Sequence, residues 1–337
     1  MKSSLICAAL LALCAAPLSA GELVVELNGP GLAESAGYLV AEARGFYAAE
    51  GLEVRLHPPG NAIPLEALAR GKADLAVEFL PVALLARENG LPLVNIGQPF
   101  ALPALRLTCL PEAGVQTAAD LRGKTLGSDY RGQELALSGW VNKLGLRADD
   151  SLEGVSILRQ WPDDAAGMLR QKQAACISTT SYDAPVEPGG TVELDPGDQG
   201  AGVLEDGIYA LQDKLPDPAM RDRFARFLRA SMQGWHEAVR DPEASARLIL
   251  GPDPDPEALK RQTRAIKGIA PLLSAQGALD DAAYRRSVAI LREGGDAAVL
   301  RADPQNAFTH EISDLARKAG QRTGARIDPT PGPRTAP

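Results

Sequence analysis

The chain has 337 residues, a formal net charge of −8 and 23% charged side chains. This length exceeds what one ordinary hydrophobic core contains and favours two lobes of about 100–200 residues each. The acidic residues are spread along the chain and no basic stripe is visible, which argues against nucleic acid as a partner.

The first twenty residues have the pattern of a cleavable secretory signal. They begin with a lysine near the terminus, continue with an apolar run at 5–16 that is too short to span a bilayer, and end at Ala20, a small residue suited to cleavage. The alternative is a buried N-terminal helix. We expect residues 1–20 to be a signal peptide and the mature protein to be periplasmic. Lipid anchoring at Cys14 is disfavoured, because Leu13 precedes it where a lipoprotein signal carries a small residue.

Two cysteines, Cys109 and Cys176, remain after that cleavage. In an oxidising compartment they could pair. Each lies in an apolar run typical of a buried strand, at 105–110 and 174–178, so we expect two separate buried thiols. No metal is expected, since nothing has the spacing of a zinc site and the histidines are far apart, at His57, His236 and His310.

Strands and helices alternate from the mature N-terminus to about residue 178. The predicted strands are 23–27, 52–56, 73–77, 93–96, 105–110, 125–127, 155–158 and 174–178. The predicted helices are 36–46, 64–70, 81–89, 117–123, 133–144 and 164–171. This alternation predicts an α/β fold with parallel-rich sheets flanked by helices.

After one more predicted strand at 208–211, the pattern becomes helical. Four Asp-Pro pairs are typical of helix starts, because Asp caps the free N–H groups and Pro suits the first helical position. The pairs are Asp217-Pro218, Asp241-Pro242, Asp255-Pro256 and Asp303-Pro304. The first of these helices carries an apolar stripe, which we interpret as core. The end of the chain, 321–337, is expected to be a disordered tail that becomes rich in proline.

Polar and aromatic side chains follow the predicted strands, where ligands bind in open α/β sheets. The segment 127–134 runs from a strand into a helix N-terminus, whose free N–H groups favour an anionic or carbonyl group. Tyr130 could stack on a flat ring there. Glu134 could accept from an amino group or merely cap its helix.

Two further stretches favour the same cleft. Residues 179–183 combine hydroxyls, an aromatic ring and an acid, which suits a polar pocket or a capped turn. Glu78 follows an apolar strand and should face the cleft, unless it forms a surface ion pair. The candidate ligand-binding residues are Asn28, Tyr38, Glu78, Phe79, Ser128, Tyr130, Gln133, Glu134, Tyr182, Asp183 and Glu205.

Catalytic motifs are missing from the sequence. Paired acids such as Glu205-Asp206 can perform acid–base chemistry, but no nucleophile or histidine lies near them in sequence. No Gly-x-Ser-x-Gly elbow, phosphate-binding loop or dinucleotide fingerprint is present. We therefore expect a binding protein, not an enzyme, with no cofactor.

Three segments of the mature chain, 37–54, 68–76 and 120–127, occur in the order found in a known family. They resemble periplasmic binding proteins of the NMT1/THI5-like and sulfonate-, taurine- and nitrate-binding group. Two later stretches resemble the branch that binds thiamine-precursor pyrimidines: residues 132–134 followed by 140–146, and residues 173–182 followed by 205–209.

This resemblance implies a type II periplasmic-binding-protein fold, in which two lobes joined by two hinge crossovers close on a ligand. The crossovers are expected near 110–115 and 194–204. Lobe one would then comprise 21–112 plus 205–320, including the helical C-terminal part, and lobe two 113–204. The implied partners are a small-molecule ligand and an ABC permease in the inner membrane, and the implied state is a monomer.

The sequence departs from the pyrimidine-binding branch at two positions. That branch usually has an aromatic residue at the end of the first strand and a histidine before the first helix, where this chain has Asn28 and Ser35. Rings and acids in the predicted loops still favour a small heteroaromatic ligand resembling a thiamine pyrimidine. Arg131 is the only cation in those loops, which disfavours sulfonate and nitrate. The alternatives are a periplasmic ligand sensor and an enzyme of the pyrimidine-synthesis type, although the Cys-rich segment of the fungal enzymes is absent.

Overall fold

The computed structural model describes residues 21–28, 33–58, 63–161, 164–183, 186 and 190–323. The expected signal peptide, Cys14 and most of the expected tail lie outside these residues. Of that tail, 321–323 are described and complete the last helix, so the prediction of disorder is wrong for them. None of the helices in these ranges combines the length and the apolar character that a membrane span needs.

The strands and helices largely coincide with the predicted ones. The strands are β1 Leu23–Glu26, β2 Val54–His57, β3 Leu75–Phe79, β4 Leu93–Gly97, β5 Leu105–Cys109, β6 Thr125–Ser128, β7 Ser156–Arg159, β8 Cys176–Thr180, β9 Val192–Leu194 and β10 Asp206–Leu211. The helices are α1 Ala36–Ala43, α2 Phe46–Ala49, α3 Pro64–Ala69, α4 Leu80–Glu88, α5 Gln133–Lys143, α6 Ala165–Arg170, α7 Pro218–Arg240, α8 Pro242–Leu250, α9 Pro256–Ile269, α10 Asp281–Leu291 and α11 Glu311–Thr323.

Within the described residues these strands form two five-stranded sheets. The first has the order β2-β1-β3-β10-β4 and the second the order β7-β6-β8-β5-β9. Both are mixed: β10 runs antiparallel to β3 and β4, and β5 runs antiparallel to β8 and β9. The other pairings, β1 with β2 and β3, and β6 with β7 and β8, are parallel, as the strand–helix alternation predicts.

The reversed strands are those that the chain enters directly from the other sheet. The chain leaves β4 at its carboxyl end and begins β5 beside the end of β8, with Leu105 opposite Thr180. It returns from β9 and begins β10 beside the end of β3, with Asp206 opposite Phe79. Both passages therefore cross at one edge of each sheet, which we call the cleft edge, where β1, β3, β6 and β8 end.

The first passage lies earlier than expected. Strand β5 already pairs within the second sheet, so the chain crosses between Gly97 and Leu105 and not near 110–115, and the expected boundary at 112/113 falls too late. The apolar strand 105–110 was correctly recognised, but its sheet depends on pairing that the sequence does not reveal. The second passage lies between Leu194 and Asp206.

The two passages are held side by side by buried side chains. The amide nitrogen of Gln98 donates to the carbonyl oxygens of Phe100, Glu205 and Asp206 at 3.0, 3.2 and 2.9 Å. Across the same junction, Ala104 N–H donates to the Glu205 carboxylate at 2.9 Å. Gln98 is fully buried, so these bonds are shielded from water.

Three of the four Asp-Pro pairs start helices, as predicted. Asp217, Asp241 and Asp255 each accept a hydrogen bond from a backbone N–H in the first turn of α7, α8 and α9. The prediction at Asp303-Pro304 is wrong, because the Asp303 carboxylate accepts from the Gln305 side chain and no helix begins there. Helix α10 was not predicted; its cap is Asp280, without a following proline.

Helix α7 packs against α1 through two glycines. Phe224, Phe227 and Trp235 of its apolar stripe are fully buried, as predicted for core. Gly37 of α1 accommodates the Trp235 ring, and Gly234 of α7 lies against the backbone of α1. A second apolar cluster joins the opposite face of the first sheet to the second sheet and includes contacts between α5 and α10.

The two cysteines form a disulfide, so the prediction of separate thiols is wrong. Cys109 of β5 lies directly opposite Cys176 of β8 in the antiparallel register, and their sulfurs are bonded. Both residues have no exposed surface. The strands were foreseen, but the register that places the two cysteines opposite each other was not.

Removing this disulfide is expected to destabilise the protein. The bond spans 67 residues, for which loop-closure entropy predicts about 4 kcal/mol, with about 2–4 kcal/mol typical of measured cases. We expect the double variant Cys109→Ala, Cys176→Ala to unfold at lower urea concentration than the parent. Alkylation of the unfolded parent should modify these cysteines only after reduction; modification without reduction would show that they are not bonded.

Alanine substitution is expected to have opposite effects at two helical glycines, one packed tightly in α7 and one with more space in α11. A Cβ atom at Gly234 would overlap the Gly37 carbonyl oxygen and lie 2.7 Å from Ala41 Cβ. Gly234→Ala should therefore cost about 1–3 kcal/mol. At Gly320 of α11 the nearest contact would be 3.8 Å away, so Gly320→Ala should stabilise by about 0.5–1 kcal/mol through helix propensity. Urea unfolding of both variants measures the difference, and equal signs would contradict the packing.

Candidate ligand-binding site

A cavity of about 270 Å³ opens at the cleft edge of the second sheet. Its walls come from the ends of β8 and β7, the start of α5 and the segment before α1. The lining residues are Glu34, Asp129, Gln133, Gln160, Ala165, Ile177, Ser178, Thr179, Thr180, Asp183 and Val186. This is the edge at which the strand–helix pattern placed the candidate residues.

The second sheet contributes a polar wall of four buried side chains, Ser128, Gln160, Ser178 and Thr180. Among the residues that the structure describes, the atoms Ser128 Oγ, Gln160 Oε1, Ser178 Oγ and Thr180 Oγ1 have no hydrogen-bond partner. Gln160 Nε2 donates to the carbonyl oxygen of Ser178 at 2.9 Å, which fixes the amide and leaves its oxygen as an acceptor. An unsatisfied buried polar atom costs about 1–3 kcal/mol, so a ligand that bonds to this polar wall recovers free energy.

The first sheet contributes an acid cluster, which we define as Glu78, Glu205 and Asp206. Asn28 Nδ2 donates to Glu78 Oε1 at 2.7 Å, and Phe79 N–H donates to the same oxygen at 2.9 Å. Asp206 Oδ1 is buried and has no hydrogen-bond partner in the ranges that the structure describes. The pairing of β3 with β10 brings these acids together from distant parts of the sequence.

Burial disfavours ionisation of all three acids. Desolvation is the largest cause in each case, and it raises the pKa of Glu78 to about 8, that of Glu205 to about 8 and that of Asp206 to about 7. Each charged neighbour that shifts these values is itself acidic, among them Glu34 and Asp129. Hydrogen bonds to the carboxylates offset only part of the effect.

The structure places the four predicted aromatic residues in different surroundings. Tyr182 is buried near the cavity, with its hydroxyl donating to Glu34 Oε1 at 3.4 Å, and Phe79 is buried at the end of β3. Tyr38 packs in the core against Trp235, with ring centroids 5.8 Å apart, although its hydroxyl has no partner. Tyr130 is 41% exposed and donates at 2.5 Å to a carbonyl of β7 at the outer edge of the second sheet. It is not among the residues that line the cavity.

The other predicted residues have structural roles beside the cavity. Glu134 accepts from Gly132 N–H at 2.8 Å, as expected of an acid that caps its own helix. Asp183 lines the cavity while accepting from Thr180 N–H at 2.7 Å, which forms the capped turn. Gln133 is buried in the cavity wall. A Cβ atom at Gly132 would lie 2.9 Å from Phe79 Cβ, so the two sheets approach closely at this glycine.

Several residues of the site were not selected from the sequence. Asp206 forms an acid pair with Glu205 in the sequence but is not among the candidate ligand-binding residues. Only the pairing of β10 with β3 shows that it lies at the cleft edge. Gln160 directly follows β7, so the rule that ligands bind beyond strand ends would have found it. Ser178 is the last residue of the predicted strand 174–178, and β8 continues two residues beyond it, to Thr180. Within the described ranges, no group of three or more His, Cys, Asp or Glu is arranged to hold a metal.

Comparison with known sequences places this site in a family. The profile described as NMT1/THI5 like matches residues 33–245, which includes most of both sheets. The chain belongs to the NMT1/THI5-like family. It is 26% identical over 219 residues to the formylaminopyrimidine-binding protein of Halalkalibacterium halodurans, covering 63% of this chain and 64% of that one.

Another curated relative is named as an enzyme. The chain is 30% identical over 112 residues to the 4-amino-5-hydroxymethyl-2-methylpyrimidine phosphate synthase of Schizosaccharomyces pombe, covering 33% of this chain and 32% of that one. The chain thus spans less than two thirds of the length of these relatives.

Comparison with solved structures confirms the expected fold. The periplasmic sulfonate-binding protein SsuA from Methylobacillus flagellatus KT superimposes with a TM-score of 0.64 at 15% identity, covering 94% of this chain and 99% of that one. Two mixed sheets flanked by helices, with a helical C-terminal part, therefore form the α/β periplasmic-binding-protein fold of type II.

The acid cluster makes the stability of the empty protein dependent on pH. Because the folded protein holds protons that the unfolded chain has released, the free energy of unfolding should fall as pH rises from about 4.5 to about 8. Glu205→Gln, which mimics the protonated acid, should remove about 1–3 kcal/mol of this fall. Urea unfolding between pH 5 and pH 8.5 measures it, with the exposed Asp198→Asn as control. An unchanged pH dependence in Glu205→Gln would contradict the raised pKa.

Proposed function

We propose that this protein is the solute-capturing component of an ABC importer. It binds a small heteroaromatic metabolite, resembling a thiamine pyrimidine, at the cleft edge between its sheets and delivers the ligand to a permease. It works in the periplasm as a monomer, without catalysing a reaction.

The observation that carries this proposal is the convergence of unpartnered polar atoms on one cavity. Gln160, Ser178 and Thr180 of the polar wall line the cavity with two hydroxyl groups and a fixed amide oxygen. The ring of Tyr182 is buried nearby. A cavity of about 270 Å³ suits a small molecule. The relative named as a formylaminopyrimidine-binding protein supports a pyrimidine-like ligand, and the SsuA-type structure supports a role in import.

Two passages between the sheets also support capture by closure. Both cross at the cleft edge and are bonded together by Gln98, so a rotation there changes the width of the cavity. A ligand that contacts both sheets favours the closed arrangement by its differential affinity for the two states.

The relative named as a pyrimidine phosphate synthase favours an enzyme as the second candidate. The two candidate functions differ in the fate of the bound molecule. A binding protein retains one unchanged ligand per chain, whereas an enzyme releases a modified product and turns over repeatedly.

Mass spectrometry of the purified protein tests the proposal. We expect one unmodified small molecule per chain, and readdition of that molecule at about 100 times its dissociation constant should stabilise the stripped protein by about 2.7 kcal/mol. Gln160→Leu should weaken binding by about ten-fold or more, because it removes the fixed amide oxygen, and the exposed Gln173→Leu should not. Deleting the gene should abolish uptake of the same molecule.

Release of a chemically altered product would contradict capture and favour the enzyme. Uptake that is unaffected by the deletion, together with retained binding, would favour a periplasmic sensor instead.

A further inference from the structure

We propose that the ligand carries a positive charge on a protonated nitrogen, and that this nitrogen is bound between Asp206 and the polar wall. This inference rests on the proposed function, because it names the chemical class of the molecule captured in the same cavity.

The first support is the arrangement of unpartnered acceptors. Asp206 is 4% exposed and Gln160 is 6% exposed, and one side-chain oxygen of each lacks a hydrogen-bond partner in the described part of the chain. The Gln160 oxygen is an acceptor only, because the amide nitrogen is already used in the bond to Ser178 O. An ionised carboxylate is likewise an acceptor only. A ligand that satisfies both must present at least two hydrogen-bond donors, which a protonated nitrogen such as that of an amidinium supplies.

The second support is the charge around the cavity. Glu34, Asp129 and Asp183 line it, and Glu78 and Glu205 are near enough to Asp206 for its charge to raise their pKa values. The neighbouring arginines, Arg131 and Arg159, act on Asp129, and Arg131 lies 3.8 Å from that carboxylate. The charges that act on Asp206, from Glu34 and Asp129, are both negative.

This imbalance has a physical consequence for recognition. Burying several carboxylates close together is unfavourable, and a cation that enters the cavity relieves their mutual repulsion and supplies charge-assisted hydrogen bonds. An anion would meet the same acids as a repulsive field. The site therefore selects against an anion such as the sulfonate for which the SsuA protein is named, even though the fold is shared.

Three probes with one ring and three charges test the inference. Benzamidinium is a cation, benzamide is neutral and benzenesulfonate is an anion, and all are small enough for the cavity. By calorimetry on the stripped protein, we expect benzamidinium to bind at least about ten-fold more tightly than benzamide, and benzenesulfonate not to bind at concentrations up to about 10 mM.

Asp206→Asn isolates the charge without changing the shape of the side chain. It should fold, because Asn resembles the neutral, protonated acid that burial favours. We expect it to lose about ten-fold or more in affinity for benzamidinium, with the affinity for benzamide changed less than about two-fold. Asp198→Asn, an exposed acid on the second passage, is the matched control and should leave both affinities unchanged.

Three outcomes would overturn the inference: benzamide or benzenesulfonate binding as tightly as benzamidinium, Asp206→Asn retaining the preference for the cation, or no benzamidinium binding up to about 10 mM. The proposed function fails separately. A neutral or anionic ligand found in the purified protein would leave capture in place while excluding a cation.

Discussion

Both passages of the chain between the sheets cross at a single edge, and the rest of the structure follows from this constraint. A strand that begins at that edge must run against strands that end there, which accounts for the reversed directions of β5 and β10. The same geometry gathers the carboxyl ends of β1, β3, β6 and β8 around one space. Gln98 and Glu205 then bond the two passages to each other, so the residues that connect the sheets also border the site.

The buried polar groups of the candidate site lower the free energy of unfolding. Glu205 and Asp206 are held where their charged forms are disfavoured, and four polar atoms of the opposite wall lack partners. Replacing such groups by apolar side chains would make a more stable core, as is common for buried polar groups. Their retention at the meeting edge of two sheets, and the fixed orientation of the Gln160 amide, are consistent with a cavity organised before its ligand arrives.

The sequence was sufficient for local structure and insufficient for pairing. Periodicity, Asp caps and glycine stops located most strands and helices, including α7 and its buried stripe. The sequence did not reveal which strands pair or in what register. Pairing assigns β5 to the second sheet, and register places Cys109 opposite Cys176 and Asp206 opposite Phe79. Side-chain direction was equally hidden: Tyr130 and Tyr182 occupy similar loops, but one bonds to β7 at the surface and the other is buried near Glu34.

The first sheet cannot be completed until β10, the last of the described strands in the chain, has been added. Among the described strands, β4 is joined to the first sheet only through β10, which lies more than a hundred residues later in the chain. The second sheet, by contrast, is built from one uninterrupted stretch, from β5 to β9. A chain that emerges from its N-terminus can therefore complete the later sheet while the earlier one still lacks a central strand. Until residues 206–211 are inserted between them, β3 and β4 have exposed edges that can pair with other chains and promote aggregation.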